Sequence, residues 1–104
     1  MSEGASVGGG GPAGPLPLTL PRVIIYGRPG CHLCDEALAV VKRAQKQLAF
    51  VLEQVNIESD DALLARYLER IPVIAIDGRD AFELFVDEDR LLGALRLRQR
   101  TTSQ

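Results

Sequence analysis

Apolar residues along this chain follow two spacings, and the stretches with each spacing alternate. Val23, Ile24, Ile25 and Tyr26 form an unbroken β-branched and aromatic run, the pattern of a strand covered on both faces. After a break at Gly27 to Gly30, Leu33, Ala37, Val41, Ala44 and Leu48 recur at steps of three or four. That spacing predicts an amphipathic helix with Asp35, Lys42 and Lys46 on its outer side. Phe50 to Ile57 predicts a second strand, and a helical crossover into it implies a right-handed parallel βαβ unit. Ser59, Asp60 and Asp61 supply a cap and favourable charges for a second helix running to about Arg70, which Pro72 stops.

Val73 to Ile76 predicts a third strand, Asp77-Gly78-Arg79-Asp80 a turn, and Ala81 to Val86 a fourth strand with Phe82, Leu84 and Val86 on one face. Asp87 is placed to cap a last helix carrying Leu91, Leu92 and Leu95, with Arg96, Arg98 and Arg100 near its negative end. The order is βαβαββα, an α/β sandwich of three layers around a four-stranded mixed sheet.

Composition sets the limits of that body. The chain has 104 residues, and ten of its first 21 are glycine or proline, too little apolar surface to offset the entropy of ordering. Residues 1–21 are therefore expected to be a disordered tail, 22–98 the folded domain, and 99–104 a flexible end. Formal net charge is −2, and Glu3 is the only charge before Arg22, so neither nucleic acid nor an acidic membrane is an expected partner. No run approaches the ~20 apolar residues of a membrane span. The first residues lack the basic start of a secretory signal and the arginines of a transit peptide, which predicts a cytoplasmic protein.

The two cysteines change the picture most. Cys31 and Cys34 are three apart, too close to staple a small fold, so their chemistry is local. They fall where the first strand ends and the first helix begins. Unsatisfied N–H groups and the positive end of the helix dipole favour a thiolate there, below the reference pKa of ~8.5. Helical geometry turns Cys34 toward the core and leaves Cys31 at the more exposed first turn. Cys31 is thus the candidate nucleophile and Cys34 the shielded resolving thiol. Lowering the thiol to a pKa of ~6 multiplies its thiolate fraction roughly twenty- to thirty-fold, but lost nucleophilicity returns about ten-fold of that. The larger benefit is that Cys31 leaves well when Cys34 resolves a mixed disulfide.

Other chemistries fit these residues less well. Structural zinc needs about four ligands, and the chain offers two cysteines and His32 held between them, so no metal within the chain is expected. Residue 37 is alanine, which removes a phosphatase loop, and neither GxGxxG nor a GK[ST] loop occurs. His32 is a candidate modulator of the Cys31 pKa, although the helix N-terminus opposes its positive charge. Arg28, always charged and just before Cys31, suits that purpose better. Tyr26 and Tyr67 read as packing residues.

The stretch Val23-Ile24-Ile25-Tyr26-Gly27-Arg28-Pro29-Gly30-Cys31-His32-Leu33-Cys34 resembles a glutaredoxin active site, and Tyr67-Leu68-Glu69-Arg70-Ile71-Pro72-Val73 resembles the segment carrying that fold's cis-proline. The likeness spans residues 22–97, nearly the whole folded body, and is nearest to the short glutaredoxin-like proteins. It implies a thioredoxin-like fold with sheet order 2-1-3-4 and a cis Ile71-Pro72 bond beside the cysteines. It further implies that Ile71 presents its carbonyl and N–H to an extended substrate, that Arg28 faces a glutathione carboxylate, and that Asp87 meets an amine. Three departures stand out. His32-Leu33 replaces the usual Pro-Tyr, Arg70 stands where threonine is usual, and Phe85-Val86 replaces paired glycines after the last strand.

The implied activity is dithiol–disulfide exchange by Cys31 and Cys34, with no tightly bound cofactor and with glutathione as a possible co-substrate. The expected partners are a disulfide-containing protein or a glutathione mixed disulfide and a reductant system, acting on a monomer. The alternative left open is a binding or redox-sensing module that keeps the fold without turnover, its cysteines forming a latch or an intersubunit metal site.

Overall fold

The computed structural model describes residues 20–102, with side chains through residue 98. The glycine- and proline-rich stretch over residues 1–19, residues 103–104 and the Arg100 side chain lie outside it. Strand β1 (Arg22–Gly27) leads into helix α1 (His32–Gln45), followed by β2 (Val51–Asn56) and a single 3-10 turn at Ile57–Ser59. Helix α2 (Asp61–Tyr67), strands β3 (Val73–Ile76) and β4 (Arg79–Glu83), and helix α3 (Glu88–Thr102) complete the order. The sheet runs β2-β1-β3-β4, with β1 and β2 parallel and the other neighbours antiparallel. This is the mixed four-stranded α/β architecture with thioredoxin-like order that the apolar pattern and the resemblance predict.

Strand alternation divides the apolar residues between two layers. Val23 and Ile25 of β1 and Ile74 of β3 join Ala37, Val41 and Ala44 of α1 and Leu91, Leu92 and Leu95 of α3 in the larger cluster. Arg43 and Gln47 both donate to the Glu88 carboxylate, tying the end of α1 to the start of α3. Val73 and Tyr26 meet Ile57, Tyr67 and Ile71 in a smaller cluster that also takes in Cys34. Cys34 therefore sits against a packed wall.

The boundaries differ from the periodicity in four places. Asp60, not Ser59, caps α2, its carboxylate accepting from the Ala62 N–H at 2.7 Å, and Ser59 belongs to the preceding 3-10 turn. Helix α2 ends at Tyr67 rather than Arg70, where the Arg70 N–H tightens onto the Tyr67 carbonyl three residues back and shares it with the Ile71 N–H. Asp77 and Gly78 hold φ of 51° and 87°, the two-residue hairpin turn in which both central residues are left-handed. Arg79 consequently pairs directly with Ile76, and β4 begins two residues earlier than the alternation of Phe82, Leu84 and Val86 predicts. The ladder skips Ala81, since Ala75 pairs with Asp80 and Ile74 with Phe82, a bulge of the kind that redirects an edge strand. The strand stops at Glu83, whose carbonyl accepts from the Phe85 N–H across Leu84 at φ 67°.

The folded body also reaches beyond residues 22–98. Helix α3 continues to Thr102, and Pro21 is fully buried with its carbonyl accepting from the Val51 N–H at 2.9 Å. A chain beginning at Leu20 should therefore be more stable than one beginning at Arg22 by about 1–2 kcal/mol, from one lost ring and one lost hydrogen bond. Urea midpoints of the two truncations measure the difference, and identical midpoints would show that the Pro21 contact contributes nothing.

Candidate functional site

The loop between β1 and α1 places both sulfurs. Gly30 takes φ of 80°, a left-handed conformation that glycine adopts without steric cost, and the chain then enters α1 with Cys31 as its N-cap. The Cys31 sulfur accepts from the Cys34 N–H at 3.1 Å, the position in which serine or aspartate caps most helices. One of the orphan amides of the first turn is thus aimed at the sulfur that would carry negative charge. Cys31 and Cys34 are joined in a disulfide with their Cα atoms 5.2 Å apart. Cys34 is 8% exposed and packs in the smaller cluster with Ile71 and Tyr67, while Cys31 is only partly buried at its margin.

Gly27 is a site residue that sequence patterning assigns only to a turn. A Cβ at this position would lie 2.9 Å from the Cys34 sulfur, closer than heavy atoms normally approach. The available signal is positional: a glycine inside a strand often marks the close approach of another group, and Gly27 is the last residue of β1 rather than the first of the loop. A groove of about 330 Å³ passes Cys34 on this side, lined by Ile25, Gly27, Arg28, Cys34, Leu38 and Val55 among others.

The other sequence-derived candidates fare differently. The Arg28 guanidinium stands 3.5 Å from the carboxylate of Glu58 on the 3-10 turn, a partner that nothing in the local pattern singles out. The His32 side chain is 85% exposed, with Nε2 2.9 Å from Glu36 one helical turn on. Its proton-binding nitrogen faces Glu36 along the outer surface of α1, and the structure gives it no bond to Cys31. The Ile71–Pro72 peptide bond is cis. The Ile71 N–H, expected to face a substrate, donates instead to the Tyr67 carbonyl at 3.1 Å, so only its carbonyl is left for strand addition. The Pro72 carbonyl accepts from the Leu84 N–H at 2.8 Å. The Asp87 carboxylate accepts from the Arg90 N–H at 3.1 Å, which makes it the cap of α3. Among the described residues, no group of three or more His, Cys, Asp or Glu is placed to hold a metal ion.

Tyr67 forms part of the wall behind Cys34. Its ring stacks on Tyr26 with centroids 4.6 Å apart, Arg66 and Arg70 each stand 5.2 Å over it, and its hydroxyl donates to Asp80 at 3.1 Å. Burial, and then the bond to Asp80, hold the phenol above its ordinary value. The folded state therefore keeps this proton more tightly than the unfolded chain. That contribution to stability is complete below the unfolded value of about 10 and is lost as pH rises through the higher folded value. Tyr67→Phe should cost about 1 kcal/mol at neutral pH and should remove this part of the alkaline loss. Urea unfolding at neutral pH and near pH 11 tests both, and an identical alkaline decline in the two proteins would remove Tyr67 as its source.

Comparison with known proteins agrees with this geometry. A family model described as "Glutaredoxin-like domain (DUF836)" matches residues 22–96. Protein Ne2328 from Nitrosomonas europaea superposes with a TM-score of 0.67 at 32% identity, covering 75% of this chain and 94% of its own. Protein XcR50 from X. campestris gives a TM-score of 0.63 at 33% identity, covering 72% of this chain and 96% of its own. A mutant thioredoxin from Halobacterium salinarum shares the fold, with a TM-score of 0.58 at 20% identity over 76% of this chain and 74% of its own.

Proposed function

This chain belongs to the glutaredoxin-like domain family, and from that premise we propose that it is a dithiol–disulfide oxidoreductase. Cys31 is the attacking thiol and Cys34 the resolving one. The observation that carries the reading is the position of Cys31 as N-cap of α1, its sulfur receiving the Cys34 N–H at 3.1 Å. In the reduced protein that amide and the helix dipole favour the Cys31 thiolate.

The reaction balances as two displacements. The Cys31 thiolate attacks one sulfur of a substrate disulfide, forming a Cys31–substrate bond and releasing the other sulfur as a thiolate that takes a proton. Cys34, deprotonated, then attacks the Cys31 sulfur, closing the Cys31–Cys34 disulfide and releasing the second substrate thiol. Two electrons and two protons pass from the dithiol to the substrate. An external thiol, either glutathione or the dithiol of a thioredoxin reductase system, returns the pair to its reduced form.

The Ile71 carbonyl, beside Pro72 in the cluster that holds Cys34, supplies an acceptor for an extended substrate, and Arg28 supplies a cation in the groove beside Cys34 once Glu58 yields it. Glutathione enters as co-substrate rather than resident cofactor, and the protein acts as a cytoplasmic monomer. Among the described residues no helix is long and apolar enough to cross a membrane. Reduced protein should consume bis(2-hydroxyethyl) disulfide or a protein disulfide stoichiometrically, two thiols appearing per molecule oxidised. If the reduced protein leaves every offered disulfide untouched over hours, the oxidoreductase reading is lost and a binding module replaces it.

A further inference from the structure

We infer that the substrate is a polypeptide disulfide whose cysteine is flanked by an apolar and a basic side chain, and that Phe85, Glu36 and Glu58 select it over anionic glutathione. This rests on the proposed oxidoreductase function and specifies its substrate class. Three sets of observations carry it.

The first is an apolar ridge at the start of α1, the helix that carries the redox pair. Leu33, between the two cysteines, lines a groove of about 90 Å³ with Leu84, Phe85 and Val86. Phe85 is 71% exposed and Leu84 40%. The turn that lifts them out is built into the fold, with Leu84 at φ 67° and its N–H on the Pro72 carbonyl. The ridge is thus fastened to the backbone of the buried Pro72 at one end and reaches Leu33 in the first turn of α1 at the other. The groove is much smaller than the roughly 300–1,000 Å³ of a small-molecule site, and its size suits a single side chain.

The second is the charge around that surface. Arg28 already faces the Glu58 carboxylate, and the exposed His32 ring faces Glu36. Asp35 adds a negative charge in the first turn of α1, and Glu36 is the charged member of the groove that Phe85 lines. An anionic ligand such as glutathione must displace Glu58 to reach Arg28, whereas a lysine or arginine beside the substrate cysteine has only the exposed His32 ring to displace from Glu36. Like charges at such a rim discriminate against the wrong partner.

The third is the backbone. With the Ile71 N–H donated to Tyr67, the edge offers a substrate strand an acceptor and no matching donor. A short ligand held by paired backbone bonds gains little there, so side-chain contacts at the ridge must supply the remaining affinity.

The test uses the reduced full chain in rapid-quench experiments with three mixed disulfides of 2-mercaptoethanol: a peptide with leucine and lysine beside its cysteine, a peptide with glycine and glutamate there, and glutathione. Each rate is divided by that for bis(2-hydroxyethyl) disulfide in the same variant. The leucine–lysine peptide should react about tenfold faster than the other two, from one partly buried apolar side chain and one exposed charge pair. Phe85→Ser should remove most of the apolar part of that ratio, and Phe85→Leu should restore part of it. Glu36→Gln should lower the preference for lysine about two- to fivefold, and Glu58→Gln should raise the relative rate with glutathione by a similar factor. Phe85 is exposed and Glu36 and Glu58 are half-exposed, so these variants leave the core intact. Equal ratios for the three ligands, or the highest for glutathione, would overturn the inference while leaving the oxidoreductase function standing. Failure to react even with bis(2-hydroxyethyl) disulfide would instead remove the function on which it rests.

Discussion

Cys34→Ser should stall the protein after its first displacement, so that a substrate remains covalently attached through Cys31 and is found by mass. Cys31→Ser should reduce nothing, and its rate with any disulfide should fall to the uncatalysed background. The asymmetry follows from where the helix puts the two sulfurs. Cys31 caps α1 at the surface margin and can be approached by an incoming disulfide. Cys34 is 8% exposed behind it, held among Ile57, Tyr67, Ile71 and Val73, where the neighbouring sulfur is far better placed to reach it than an incoming disulfide. A mixed disulfide on Cys31 is therefore attacked by Cys34 within the molecule, at the high effective concentration of an intramolecular reaction. Removing Cys34 leaves only external thiols, and the intermediate should persist for minutes in their absence. Serine is close to cysteine in shape and only slightly smaller, so circular dichroism of both variants should remain close to that of the parent. The outcome that defeats the assignment is adduct formation through Cys34 in the Cys31→Ser protein at a rate matching that of Cys34→Ser, which would make the sulfurs equivalent.

Gly27→Ala should destabilise the disulfide form more than the dithiol form. An alanine Cβ would come within 2.9 Å of the Cys34 sulfur and 3.2 Å of its Cβ. While the sulfur is bonded to Cys31 it cannot swing aside, because Cys31 is itself fixed as the cap of α1. The clash must then be absorbed by the β1–α1 junction, at an overpacking cost of about 1–3 kcal/mol. Once the bond is reduced, Cys34 can change rotamer and relieve most of it. Oxidised protein should therefore lose more in its denaturation midpoint than reduced protein. The same difference must appear in the reduction potential, which becomes less negative by about 30 mV for each 1.4 kcal/mol by which the oxidised state is the more strained. Equal losses in both forms with an unchanged potential would show that the backbone at Gly27 yields instead of the sulfur.

Neighbouring positions in sequence were enough to locate much of this molecule. The step of three or four in Leu33, Ala37, Val41 and Ala44 defines the buried side of α1 because helical geometry repeats every 3.6 residues wherever the helix lies. The same local geometry sets Cys31 at the helix start and turns Cys34 inward. Strand runs, the crossover rule and the hairpin then leave few arrangements of four strands, and the observed order is among them. The bulge at Ala81, by contrast, has no signature in an alternation that also suits an unbroken strand. The Asp77-Gly78 pair does carry one, and it outweighs the apolar spacing of Leu84 and Val86 in setting where β4 begins.

What the sequence by itself determined is the set of properties that depend on residues within one or two turns of each other: the elements, their buried faces, and the exposed and shielded cysteines. What only the tertiary structure decided is which side chains meet across elements. Arg28 meets Glu58 from thirty residues on, Tyr67 meets Asp80, Gly27 makes room for the Cys34 sulfur, and Leu84 fastens onto the Pro72 carbonyl. Periodicity specifies the direction in which a side chain leaves the backbone, but the distance to a partner depends on how two packed elements slide and rotate against each other. A shift of about one residue, 3.3 Å along a strand, is enough to make or break such a contact.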